Sequence, residues 1–124
     1  MNRYLLILIG GGLGSVARYA LGASVTNRLG AEFPFGTVLI NISGSFTVGL
    51  LMTLLTERFL PHPNYRLLLV VGFLGGFTTF SSYEWDSLSL LREREFLFAA
   101  LNLVGSAFAG LVAVWLGWLA AARW

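Results

Sequence analysis

The sequence contains no cysteine and no lysine, one histidine, three prolines and six acidic residues. Each shortage removes a class of chemistry. Without cysteine there are no disulfides and no thiolate metal sites, and the redox compartment stays open. The lone His62 lies between Pro61 and Pro63, where a solvated loop side chain is the ordinary reading and a metal ligand is not. No nucleotide loop, no acid pair at a hydrolytic spacing and no Ser–His pair can be assembled, so an enzyme would need a constellation that this chain lacks. All eight cations are arginine and they are strung along the chain. A nucleic-acid footprint needs them clustered on one face.

Charge of either sign is scarce. Only 11% of the 124 residues are charged, 56% are hydrophobic, and the mean hydropathy is +0.76. A soluble chain this short must show water a largely polar exterior, and there is too little charge here to coat one. Lipid is then the solvent, and the expected class is an all-α membrane protein. Apolar runs cover residues 4–25, 35–55, 67–91 and 96–122, each long enough for the roughly 20 residues that cross a bilayer core. They leave only short connections, so residues 1–124 read as a single four-span transmembrane domain. The prolines and most charges fall between the runs, where helix breakers and charges are tolerated. A cleaved leader is the weaker reading of the first run, which is longer than a signal core and contains Arg18.

If all four runs cross, Arg3, Arg58, Arg66 and Arg123 lie on one side and Arg28, Arg92 and Arg94 on the other. A four-to-three distribution barely biases orientation under the positive-inside rule. Both orientations can then insert, and an antiparallel dimer can form from one gene product. Orientation set by a terminal residue or an assembly factor is the alternative.

Polar groups inside the runs are the informative ones. Gly10, Gly14, Arg18 and Gly22 follow at four-residue steps along one helix face, which suits close helix packing. Arg18 is about 20 Å along that helix from Tyr4. It either snorkels to the interface or forms a fixed positive charge that draws anions into a vestibule. Thr37, Asn41, Ser45 and Gly49 form a second stripe, and Asn102, Ser106 and Gly110 a third. Such stripes are either interhelical glue or the lining of a narrow polar track. In the third run, Gly75-Gly76-Phe77-Thr78-Thr79 weakens a helix in mid-membrane through paired glycines and β-branched threonines. A broken helix exposes main-chain groups that protein, water or an ion must satisfy. Phe80 and Tyr83 follow three apart, and ring edges carry positive potential that attracts a small anion. Packing is the ordinary role of either ring taken alone. Trp115, Trp118 and Trp124 read as an interfacial belt.

Three motifs in order carry a family resemblance: Arg18 after a glycine-rich start, Pro34-Phe35-Gly36-Thr37 running into Asn41, and the block from Gly72 to Ser82 ending in Thr-Thr-Phe-Ser. Together they resemble the CrcB/Fluc fluoride channels, and the likeness covers all four spans. The resemblance implies a dual-topology antiparallel homodimer in the bacterial inner membrane. It implies two pores that pass fluoride passively and reject chloride, with loss of cytoplasmic fluoride as the benefit. It also implies a structural Na⁺ on the two-fold axis, held by the main-chain carbonyls of Gly75 and Thr78. On the same ground Asn41, Phe80, Tyr83, Ser106 and Thr37 are pore residues and Arg18 is the vestibule arginine. No nucleic acid and no protein substrate is implied. Tyr83 stands where the family usually has a second phenylalanine, and Gly110 where some members carry a serine. The rival of another transport class is a small four-span multidrug exporter, which needs a titratable carboxylate in the first span, and residues 4–25 contain none. A structural or assembly subunit without transport is the third reading.

Overall fold

A computed structural model describes residues 2–124, and its described residues form four helical spans joined by short loops. Helix α1 is Arg3–Leu29 and α2 is Phe35–Thr53, continued by a π-helical turn over Leu54–Arg58. Helix α3 occupies residues 64–77 and is π-helical over Leu67–Leu74. Helix α4 is Phe80–Arg92, and α5 is Phe96–Ala122, with a π-helical turn at Leu101–Gly105. Together α3 and α4 make the third span, Asn64–Arg92.

The helices outrun their apolar cores. At 27 residues, α1 is about 40 Å long, more than the roughly 30 Å of hydrocarbon. Its start is fixed by Asn2, whose side-chain oxygen accepts the Tyr4 N–H at 2.8 Å. Its end is fixed by Gly30, whose φ of 84° suits a residue without a β-carbon. The extra turn beyond Val25 carries Thr26, Asn27 and Arg28, polar residues that suit headgroups better than lipid tails.

Lipid tails are as apolar as leucine, so no hydrophobic force drives these helices together, and contact rests on close backbone approach. Glycine supplies it at two crossings. Where α1 meets α3, a β-carbon on Gly14 would overlap the Phe73 carbonyl oxygen, and one on Gly76 the Gly11 carbonyl oxygen. Where α2 meets α5, β-carbons on Gly49 and Gly117 would overlap the carbonyl oxygens of Val114 and Phe46. These two pairs, α1 with α3 and α2 with α5, are the main packing units. The Arg58 guanidinium adds a polar clasp by donating to the Ala122 carbonyl, joining the ends of α2 and α5. Few large apolar side chains are buried, among them Leu6, Ile40, Leu74 and Leu90, while Leu8, Leu13, Val104, Phe108 and Leu111 face outward. That inversion is what a lipid-solvated exterior requires.

Candidate functional site

The site is built around two residues that leave the helix. Thr78 (φ −80°, ψ 154°) and Thr79 (φ −148°, ψ 114°) are extended between α3 and α4. Helix ends leave carbonyls and N–H groups without intrahelical partners, and in lipid each of these must be met by protein. Asn41 of α2 meets the orphaned Thr79 N–H and adds a second bond to the Thr79 carbonyl, which as the cap of α4 also accepts within that helix. Its Nδ2 donates to the Thr79 carbonyl at 2.9 Å, and its Oδ1 accepts the Thr79 N–H at 2.8 Å. In a continued helix that N–H would return to the Gly75 carbonyl four residues back. Arg18 of α1 meets a second orphan, its Nε donating to the Gly76 carbonyl at 3.0 Å. Thr79 also caps α4, its hydroxyl accepting the Ser82 N–H at 3.2 Å. Gly44 makes room for the bend, since a β-carbon there would overlap Thr78 Cγ2.

One side of the extended pair faces an open groove of about 670 Å³ between α2, the third span and α5. Asn41, Phe80, Tyr83 and Ser106 all line it, together with Gly75 and Thr78. The rings of Phe80 and Tyr83 lie 5.6 Å apart, tilted by 40°. The Tyr83 hydroxyl is committed elsewhere: it donates to the Leu103 carbonyl in the π-helical turn of α5. Ser106 donates to Asn102 Oδ1 at 3.3 Å. Opposite Gly110 stands Ser45, its hydroxyl oxygen 3.5 Å from where a β-carbon would be, so a hydroxyl is present at the level where position 110 offers none.

Arg18 and Thr37 do not line that groove. They border a second cavity of about 340 Å³ between α1, α2 and α4, which also touches Thr79 and Ser82. Thr37 also reaches a smaller recess of about 210 Å³ that includes Glu32, Asp86 and Glu93. The Thr37-Asn41-Ser45 stripe is thereby divided, and Thr79 is the one residue common to the groove and the cavity beside Arg18. Sequence reasoning places Thr79 and Ser82 in the helix-weakening block but gives neither a role at the site. Their pairing as a threonine cap three residues ahead of its N–H donor is a signal available from spacing. Asn102 belongs to a stripe in the sequence, but nothing in its spacing shows that it is the largest fully buried side chain among the described residues.

The arrangement offers N–H and O–H donors, ring edges and main-chain carbonyls around one backbone interruption. It holds no acid and base paired for proton transfer, and no cluster of three His, Cys, Asp or Glu that could bind a metal occurs among the described residues.

Residues 5–118 match the family described as "CrcB-like protein, Camphor Resistance (CrcB)". The chain is similar to a protein of Solibacter usitatus named fluoride-specific ion channel FluC, 57% identical over 121 residues, which covers 98% of this chain and 99% of that protein. Proteins of the same name are similar at 49% identity in Thermus thermophilus, over 95% of this chain and 94% of that one. In Opitutus terrae the identity is 46%, over 98% and 93%.

Proposed function

Because the chain belongs to the CrcB-like family, and is therefore a multi-pass bacterial membrane channel and not an enzyme, we propose that it conducts fluoride selectively. Passive flow down the electrochemical gradient then lets the cell shed cytoplasmic fluoride and resist it. The observation that carries the reading is the groove in which Asn41, Phe80, Tyr83 and Ser106 meet at the interruption of the third span. Fluoride is small and strongly hydrated, so a pore must replace its water with donors and positive ring edges in a narrow bore. Amide, hydroxyl and ring edge are weak ligands that let the ion leave. The full charge of Arg18 lies across the extended pair in the neighbouring cavity, off the groove and suited to raising the local anion concentration.

Further features follow from the same reading. The interruption at Thr78 and Thr79 belongs in mid-membrane, with the four spans acting as one domain. The groove is open to the outside and Phe80 is 74% exposed, which supports an antiparallel second copy as the missing wall, in keeping with the four-to-three arginine distribution. A structural Na⁺ between the two copies would be held by the Gly75 and Thr78 carbonyls. The residues fit such an ion, because Asn41 takes the Thr79 N–H that helical continuation would give to Gly75. When bound, the ion would supply positive charge beside the anion path, and Asn41 and Gly44 are what hold Thr78 and Thr79 extended next to those carbonyls.

The test is release of fluoride from liposomes loaded with it, recorded with a fluoride electrode in the presence of Na⁺. Purified protein is expected to empty the vesicles of fluoride while retaining chloride, and absence of release overturns the proposal. Reporters fused to the C-terminus are expected on both sides of the membrane, and a strictly one-sided result removes dual topology.

A further inference from the structure

Ser106, which lines the groove, is the outer end of a hydrogen-bond chain whose inner end is sealed. Asn102 is 0% exposed and Ser87 is 2% exposed. Counting donors and acceptors fixes each proton in the chain. Ser87 Oγ–H donates to the Tyr83 carbonyl at 2.8 Å, so the Ser87 oxygen has only lone pairs left to offer. Asn102 must therefore turn its Nδ2 toward Ser87, at 2.8 Å, and the Tyr83 carbonyl, 3.4 Å from the same nitrogen, requires the same orientation. The amide oxygen then faces Ser106. An amide oxygen only accepts, so Ser106 sends its single proton inward, across 3.3 Å.

With its proton inward, Ser106 presents lone pairs to the groove, the wrong sign for an anion. With its proton outward, it donates to the anion but leaves Asn102 Oδ1 buried without a partner, an unfavourable state where no water reaches. The inward bond is long for a hydroxyl donor, whose usual separation is about 2.7–2.8 Å, and is correspondingly easy to exchange. We propose that Asn102 is a positioning residue that competes with the passing anion for the Ser106 proton, so that the hydroxyl turns outward only while an anion lies beside it. The competition keeps Ser106 a weak ligand and speeds release. The inference rests on the fluoride reading above.

The experiment compares the fluoride dependence of liposome efflux in wild type, Asn102→Leu, Ser106→Ala and the double variant. Leucine keeps roughly the volume of asparagine and removes the competing oxygen. The half-saturating fluoride concentration is expected to fall about fivefold in Asn102→Leu, the worth of one typical hydrogen bond. It is expected to be the same in Ser106→Ala and in the double variant. A half-saturation that stays put or rises in Asn102→Leu overturns the inference, as does an equal shift in the Ser106→Ala background. A purely structural role would lower the limiting rate in both backgrounds and leave half-saturation alone. Should the leucine variant not fold, Asn102→Ala puts the same question with a smaller side chain. Wild-type vesicles that pass no fluoride overturn the transport reading itself, and this inference with it.

Discussion

Replacing Asn41 by leucine tests the link on which the groove depends. The side chain of Asn41 makes two hydrogen bonds to one residue, to the Thr79 N–H at 2.8 Å and the Thr79 carbonyl at 2.9 Å. A leucine fills similar space and makes neither. Leaving a buried donor unpaired costs about 1–3 kcal/mol, and the net worth of a second bond is about 1 kcal/mol. The site is partly buried, which favours the lower end, so the extended segment is expected to lose about 2 kcal/mol. In local opening equilibria that is about 30-fold. Hydrogen exchange of the Thr79 amide in nanodiscs reads this directly and is expected to accelerate by about that factor, together with loss of fluoride efflux. Asn41→Asp separates the two roles. A carboxylate still accepts the Thr79 N–H but offers the Thr79 carbonyl no donor, so amide protection is expected to survive in large part. Flux is expected to fall because negative charge then lies on the proposed anion path. Unchanged Thr79 protection in Asn41→Leu would refute the link, and unchanged flux in Asn41→Asp would take Asn41 off the path.

Two further substitutions probe the packing and the aromatic pair. Gly14→Ala places a β-carbon into the Phe73 carbonyl oxygen and must push α1 from α3, so it is expected to lower the melting temperature sharply in detergent. Gly11→Ala, whose β-carbon would sit 3.8 Å from the Gly72 carbonyl oxygen, is expected to stay within about 1 kcal/mol of wild type. Equal effects of the two would refute the crossing geometry. Tyr83→Phe removes the hydroxyl that donates to the Leu103 carbonyl and is expected to cost about 1 kcal/mol in thermal stability. Fluoride efflux is expected to persist because the ring remains, and its complete loss would show that the hydroxyl itself serves the ion.

Much of the architecture is written in the apolar runs. Four stretches of bilayer length, glycines four apart in the first span, and prolines confined to the connections each follow from a local rule of length or period. The ends were less legible, because helices such as α1 continue past the last apolar residue to a cap, and polar residues in the headgroup region do not stop a helix. The residues of the candidate site were nameable from the sequence, but their arrangement was not. Asn41, Phe80, Tyr83 and Ser106 stand together in the groove, whereas Arg18 and Thr37 border a separate cavity. Helical periodicity says that residues share a face and leaves open which neighbour that face meets.

The sequence by itself determined that this chain lives in lipid, crosses it four times, and lacks the groups for enzymatic chemistry, because those properties depend on composition and on spacing within single segments. Only the tertiary structure decided which atoms answer one another. Asn41 reaches Thr79 across 38 residues of chain, Arg18 reaches Gly76 across 58, and Asn102 turns its amide toward Ser87 across 15. In lipid a polar group must find its partner within the protein, and the crossing of helices chooses that partner.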